Sequence, residues 1–357
     1  MDIGIVQPEL IYLRGAEKQV CKLSHYLTKM GHDVTIYTFE KKENYGFDSS
    51  LENVNIVSLD TKWFISSIFS LNHFRWVHLI KKLSSKLGDH DIINAHNHPA
   101  QWISKFTDIP TVWMCNEPYY RDNFIDKYYS ANIQFTLPIS HVIEKIIKNR
   151  YPQTKLETIG SGADLERDIK HIHNDYFDLI FVGPLHPKKR QLDIVKAFSL
   201  IKNDIKNVRL HFVGGTVDAY SNHIKKSMIN LADKNGLNIF FYDSISNEEL
   251  YSLYDVADIS VFVPESEPWG IFPLETILGG IPTIISDQCG VKDILPDDHP
   301  VVETGNIKQL ADKILEVKNN YDEYKNKTLQ TSKTITENYS WKSYSKRMET
   351  IFNKIIE

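Results

Sequence analysis

The chain has 357 residues, 42% hydrophobic and 24% charged, with 16 Gly and 14 Pro, a usage that fits ordinary globular domains and excludes collagen-like, low-complexity and disordered classes. Domains commonly run roughly 100 to 200 residues, so two are expected. With 41 basic and 46 acidic side chains the net charge is -5, the wrong sign for a binder of phosphate backbones, and no nucleic-acid partner is expected.

Cys21, Cys115 and Cys289 are odd in number and widely spaced, so neither a disulfide framework nor a zinc ligand set follows from them. A reducing, cytoplasmic location is expected. Met1–Val6 reads as a first strand rather than a secretory leader. The longest stretch free of Asp, Glu, Lys and Arg, residues 128–143, contains Asn132, Gln134, Pro138 and His141 and falls short of the apolar ~18 residues of a spanning helix. Any membrane contact would be peripheral.

Short runs rich in Ile, Val, Leu and Phe alternate with longer stretches of helical spacing, the pattern of a parallel sheet with crossover helices. In the first half the expected strands are Ile3–Val6, Val34–Tyr37, Ile92–Ala95, Thr111–Met114 and Phe135–Pro138, with helices near 15–30, 74–87 and 141–149. The polar stretch Glu166–Asp178 reads as a linker before the strand Leu179–Val182. Strands Val208–Val213, Asn238–Tyr242, Ile259–Val263 and Thr283–Ser286 follow, separated by helices near 191–201, 219–234, 247–254 and 273–278. Residues 339–356 place Trp341, Tyr344, Met348, Ile351 and Ile355 near one face of an amphipathic helix. The expected fold is α/β, with two facing Rossmann-like, doubly wound parallel-sheet domains at 1–165 and 166–338.

The most informative segment is Val263-Pro-Glu-Ser-Glu-Pro-Trp-Gly-Ile-Phe-Pro-Leu-Glu275, which runs strand, loop, helix. Pro273 suits a first helical turn, and the Gly279-Gly280 pair ends the helix. The loop then lies at the carboxyl edge of a parallel strand, where open α/β sheets bind ligands and free helix N–H groups attract phosphate. Glu267 in the loop and Glu275 in the first helical turn can both accept from sugar hydroxyls. On the alternative reading Glu275 complements the helix dipole and Glu267 is solvated.

Glu267 and Glu275, with seven residues between them, resemble the signature of the retaining nucleotide-sugar glycosyltransferases of family 4, which have the GT-B fold. Arg14-Gly15-Ala16-Glu17 resembles that family's glycine turn, Asp91–His96 its strand ending in an active-site histidine, and Gly162-Ala163-Asp164 its Gly-Val-Asp before the linker. Val182-Gly183 followed by Lys188-Lys189 resembles its basic phosphate loop. The resemblance implies that Glu267 contacts the donor sugar, Glu275 the nucleotide ribose and Lys189 the diphosphate. Gly15, Gly183, Lys188, Arg190, Trp269, Gly270, Ile271 and Phe272 would complete the donor site, with His96 at the reacting sugar. It also implies a C-terminal helix, 339–357, that crosses back to the first domain. One position departs from the pattern: Pro184 stands where an arginine is usual, and Arg190 replaces a glycine after the lysine, so Arg190 or Lys188 is expected to supply the second cation.

Other readings of these residues are plainer. Lys188-Lys189-Arg190 could be a solvated run, His96 a satisfied strand-end histidine, and Gly15 a tight turn. Asn116 and Glu117 follow another strand at the same edge and are candidates for the acceptor, or simply a turn before Pro118. Residues 62–88 hold Lys62, Arg75, Lys81, Lys82 and Lys86, no acids, and Trp63, Phe64, Phe69, Phe74 and Trp76. That composition suits peripheral contact with anionic headgroups, or an amphipathic helix with a core-facing aromatic stripe. Asp89-His90-Asp91 precedes a strand instead of following one, so it reads as a turn, and no metal or other cofactor is expected. No Gly-x-Gly-x-x-Gly follows the first strand, and no Gly-x-x-x-x-Gly-Lys-Ser/Thr occurs.

Together these expectations describe a metal-independent retaining transferase. It would move a hexose from a nucleoside diphosphate sugar, GDP-mannose or a UDP-hexose, to a glycan, lipid-linked or small acceptor. A nucleotide-sugar epimerase and a non-catalytic nucleotide-sugar or glycan-binding subunit are the alternatives, the latter favoured by Pro184.

Overall fold

The structure is a computed structural model and describes residues 1–11, 15–42, 51–61, 69–118, 124–216 and 219–357. It divides into two compact units, Met1–Gly162 with Tyr339–Glu357, and Ala163–Asn338.

The first unit contains β1 (Asp2–Val6), β2 (Glu9–Leu10), α1 (Gly15–Lys29), β3 (Asp33–Thr38), β4 (Glu40–Lys41), β5 (Asn55–Ser58), α2 (Phe69–Ser84) and β6 (Ile92–His96). A 3-10 turn over Ala100–Lys105 leads to β7 (Thr111–Cys115), α3 (Phe124–Ser130), β8 (Phe135–Pro138), α4 (His141–Arg150) and β9 (Lys155–Leu156). Seven of these strands form one parallel sheet in the order β5-β3-β1-β6-β7-β8-β9. Its central strands are covered on both faces, so they read as nearly continuous apolar runs: Ile3, Ile5 and Val6 of β1 and Ile92, Ile93 and Ala95 of β6 are fully buried. Each such Ile or Val contributes roughly 1.5–3 kcal/mol.

In the second unit come β10 (Phe177–Val182), α5 (Gln191–Ile201), β11 (Val208–Val213), α6 (Ala219–Asn235), β12 (Asn238–Tyr242), α7 (Asn247–Val256), β13 (Ile259–Phe262), α8 (Ile271–Leu278), β14 (Thr283–Ser286), β15 (Val301–Val302), α9 (Ile307–Asn319) and α10 (Tyr321–Asn338). Six strands pair in parallel in the order β12-β11-β10-β13-β14-β15. In both sheets the order reverses beside the first strand, between β1 and β6 and between β10 and β13. Loops leaving the carboxyl ends of those strands diverge and leave a crevice.

The C-terminal helix α11 (Trp341–Ile356) belongs to the first unit and lies on α1. Its N-terminus is capped by Ser340, whose hydroxyl accepts from Ser343 N at 3.2 Å. His32 bonds Glu349 at 2.7 Å, and Lys354 pairs with Glu157 at 3.0 Å. A Cβ at Gly162 would stand 2.4 Å from Trp341 Cε3, so only glycine lets the helix start this close to the chain.

The linker after Glu166 holds no helix or strand before β10, and its first residues dock on α7: Arg167 donates twice to the Asp255 carboxylate at 2.9 and 2.8 Å, and the Lys170 backbone N–H adds a third bond at 2.8 Å. One sequence expectation needs correction. Helix α2 spans Phe69–Ser84 instead of 74–87. The Ser84 and Ser85 hydroxyls turn back to donate to the carbonyls of Lys81 and Lys82, both at 2.8 Å, and close the helix there.

Candidate active site

The crevice between β10 and β13 gathers most of the residues singled out for a donor. After β10 the chain passes Gly183 and Pro184 into a 3-10 turn over Pro187–Lys189, and Arg190, with φ +55°, starts α5. After β13 it passes Pro264 to Trp269 and enters α8. Backbone bonds lock the two loops: Glu265 N donates to Lys188 O at 2.7 Å, and Glu267 forms a parallel bridge to Cys289, its N–H donating to Gln288 O at 3.0 Å while its carbonyl accepts from Gly290 N at 2.9 Å. On this frame Lys189 Nζ donates to the Glu267 carboxylate, and the ammonium lies 5.2 Å from the Phe262 ring centroid.

Gly270 is the N-cap of α8 with φ +108°. A Cβ there would come within 2.9 Å of both Cys289 Sγ and Pro273 Cγ, so glycine is required for the loop to turn into the helix. The Trp269 and Phe272 side chains are buried, Phe272 against Phe181 and Phe262. Ile271 is the first residue of α8 and is half-buried. Glu275 is the fifth residue of α8, in its second turn and not the first as expected; its carboxylate accepts from Tyr254 OH of α7 at 3.3 Å. Burial, and next the Glu275 charge, push the Tyr254 phenol well above its ordinary pKa, so it remains a donor. Tyr254 was missed in the sequence because it reads as one more apolar residue of α7.

Arg190 is turned to another partner. Its Nε donates to Asp193 at 2.6 Å, and its guanidinium lies against Gly305. Pro184 is exposed, and its carbonyl accepts from Gln191 Nε2 at 2.8 Å. Lys188 is exposed in the turn beside Lys189.

In the first unit His96 closes β6 at the other strand-order reversal and is fully buried. Its Nε2 meets Asn94 Oδ1 at 2.7 Å, which assigns the proton to Nε2 and leaves Nδ1 an acceptor with no partner among the described residues. Burial lowers its pKa to about 3, so it is a neutral imidazole. Gly15 begins α1, whereas Arg14 lies outside the described residues. Asn116 is buried and donates to Gln19 Oε1 at 2.8 Å, with Gln19 continuing to Ser161 Oγ at 3.0 Å; Glu117 is exposed. Of the basic segment, Lys62, Trp63, Phe64 and the Phe69 side chain lie outside the described residues. Trp76, Leu79, Ile80 and Leu83 of α2 face the core, while Phe74, Lys81 and Lys82 face out. Asp89-His90-Asp91 is tied to the start of β1, His90 to Asp2 Oδ1 at 2.5 Å and Asp91 to the Asp2 amide at 2.7 Å. No described helix is long and apolar enough to cross a membrane.

Two family models match the chain: glycosyltransferase family 4 over residues 13–167 and glycosyl transferases group 1 over residues 162–338. The α-monoglucosyldiacylglycerol synthase of Acholeplasma laidlawii is 21% identical, with 100% of this chain and 98% of the relative covered. Among solved structures, sucrose-phosphate synthase of Thermosynechococcus elongatus superposes with a TM-score of 0.79 at 15% identity, covering 99% of this chain and 98% of the other. An Anabaena protein, HepE, solved with UDP and glucose, gives a TM-score of 0.75 at 14% identity, covering 99% and 100%. Two Rossmann-like parallel sheets, the matched modules in order and neighbours of this kind lead to one assignment: the chain belongs to the family 4 glycosyltransferases and is a transferase of the GT-B fold.

Proposed function

We propose that this transferase moves a hexose from a nucleoside diphosphate sugar to a glycan or lipid-linked acceptor, with retention at the anomeric carbon and without a metal ion. The observation that carries the reading is the Lys189–Glu267 pair at the β10/β13 crevice, beside the start of α8. An ammonium suits a diphosphate and a carboxylate suits sugar hydroxyls, and the pair brings both to one crevice.

In the proposed step the bond from the anomeric carbon to the leaving phosphate oxygen breaks, and a bond to the acceptor oxygen forms on the same face. The acceptor's proton passes to the departing phosphate oxygen, so no protein nucleophile is needed. Charge grows on that oxygen, where Lys189 and backbone N–H groups at α8 stabilise it. Glu275, oriented by Tyr254, would hold the ribose. Neutral His96, with Nδ1 as acceptor, is suited to a sugar hydroxyl.

The Acholeplasma relative is named for a glucosylated diacylglycerol, which supports a lipid-linked acceptor. The UDP and glucose of the Anabaena structure favour a uridine donor over GDP-mannose. A thermal-shift panel of GDP, UDP, ADP and their sugar conjugates, with and without EDTA, tests the donor, because a ligand that binds only the native state raises its stability. One nucleotide should shift the melting temperature regardless of EDTA. Silence from all of them refutes the donor site, and an inverted product anomer by proton NMR refutes retention.

A further inference from the structure

Strand β6 is buried at every position, and at Asn94, between Ile93 and Ala95, it carries an amide where its neighbours are apolar. Burying an amide costs free energy unless its oxygen and nitrogen are bonded. The two bonds that Asn94 makes tie the backbone of β7 to the imidazole of His96.

Asn94 and His96 are two residues apart on one strand, so their side chains stand on the same face of the sheet. His96 Nε2–H donates to Asn94 Oδ1 at 2.7 Å. On its other side the amide meets β7, where Asn94 is paired in register with Val112 and its Nδ2 donates to Val112 O at 3.5 Å. That second bond is long, and its importance is one of orientation. Turning the amide over would set its oxygen against the Val112 carbonyl oxygen. It would also set an N–H against His96 Nε2 and force the imidazole proton onto Nδ1. The arrangement in the structure avoids both.

Burial keeps the His96 ring neutral, so what remains to be fixed is which nitrogen holds its one proton. Nδ1 is buried with no partner among the described residues and cannot make that choice. The choice falls to the Asn94 oxygen.

We propose that Asn94 is a positioning residue for His96: oriented by the Val112 carbonyl, it holds the imidazole proton on Nε2 and keeps Nδ1 a bare acceptor. A ring held in this form takes a ligand hydroxyl and discriminates against a group with no hydrogen to give. Asn94 acts through the histidine and needs no contact with the substrate. The control of the tautomer stands on β6 and β7 alone; that the hydroxyl belongs to the sugar rests on the proposed function.

Isotope labelling of the histidine ring nitrogens in the full chain reads the tautomer by NMR, and the His96 signals are those lost in His96→Gln. In the unaltered chain Nε2 should be fully protonated and Nδ1 bare. A proton on Nδ1 there overturns the proposal whether or not any variant folds. Asn94→Leu keeps the size and removes the oxygen, so His96 should pass to the tautomer mixture of a free imidazole. Asn94→Asp keeps an acceptor oxygen in the same place and should restore a fully protonated Nε2. A leucine variant with the pure tautomer of the unaltered chain, or an aspartate variant without rescue, overturns the proposal. Turnover then tests the consequence, using the nucleotide sugar that shifts the melting temperature and analogues with fluorine in place of a single sugar hydroxyl. One analogue should lose roughly tenfold in kcat/KM with the unaltered chain. That loss should shrink to about threefold or less in Asn94→Leu. An equal loss in both chains overturns the role of Asn94 in the reaction. Nucleotide sugars that bind neither chain refute the donor reading instead, and the NMR result is unaffected by that failure.

Discussion

Replacing Glu267 by Gln should tighten the binding of a bare nucleoside diphosphate. In the structure the Lys189 ammonium is held by Glu267, with the two side chains 24% and 17% exposed, so a diphosphate bound at Lys189 as proposed would first displace a carboxylate from its cation. A charge-assisted hydrogen bond is worth about 1.5–3 kcal/mol. Because water still reaches this pair, ~1–2 kcal/mol is the fitting figure, a factor of roughly 5–30 in affinity. Glu267→Gln removes that competition while keeping the shape, and the nucleoside diphosphate should gain by that factor. The intact nucleotide sugar should gain less, since its hydroxyls lose a charged acceptor while its diphosphate gains a free cation. The ratio of the two dissociation constants, measured by calorimetry, should therefore move toward the bare diphosphate, and turnover should fall. Lys189→Ala should weaken both ligands. If Glu267→Gln leaves diphosphate affinity unchanged or lower while the melting temperature is intact, the pair is not the obstacle described and the reasoning fails.

Three further outcomes follow from the same geometry. Gly270→Ala places a Cβ at φ +108° within 2.9 Å of Cys289 Sγ and Pro273 Cγ; left-handed strain of roughly 1–2 kcal/mol and overpacking of about 1–3 kcal/mol should appear as a lower urea midpoint, and an unchanged midpoint would contradict the packing. Tyr254→Phe deletes the bond to Glu275, worth about 0.5–1.5 kcal/mol or somewhat more to a charged acceptor. Donor KM should rise several-fold with kcat nearly constant, whereas an equal fall in both kcat and kcat/KM would place Tyr254 in the reaction itself. His96, held near 3 by burial, has an unfolded value of ~6.5. Between those values the unfolded chain binds a proton that the folded chain does not, so its contribution to stability is full above pH ~6.5 and declines by about 1.4 kcal/mol per pH unit as pH falls. Urea unfolding of His96→Gln should show a slope shallower by one proton between about pH 4 and 6; an identical slope would refute the buried neutral imidazole.

Much of the sheet was legible as sequence because strands covered on both faces must be apolar along their length. Phe135–Pro138, Val208–Val213 and Thr283–Ser286 fall where the Ile, Val and Phe runs put them. Asn55–Ser58 carries no such signal: it is an edge strand with no buried residue. Helix α10 is equally quiet, since it buries Tyr324, Thr328, Thr331 and Ile335, of which two are polar. The polar stretch Glu166–Asp178 was legible as a linker from its composition, but that its first residues dock on Asp255, far along the chain, was not.

The candidate site divides in the same way. Spacing and residue type in one short segment pointed to Glu267 and Glu275, and the family resemblance added Gly270, because a loop leaving a parallel strand into a short helix is a local arrangement. Which cation meets which carboxylate is not local. Lys189 and Arg190 are adjacent in sequence, yet a left-handed residue at Arg190 starts α5 and sends its guanidinium to Asp193, while Lys189 reaches Glu267 across the reversal of strand order. Tyr254 finds Glu275 only through the packing of α7 on the sheet. The sequence by itself therefore determined the repeated strand–helix pattern and the chemistry available in each loop. The tertiary structure alone decided which loops meet, because strand order is set by pairing between segments dozens of residues apart.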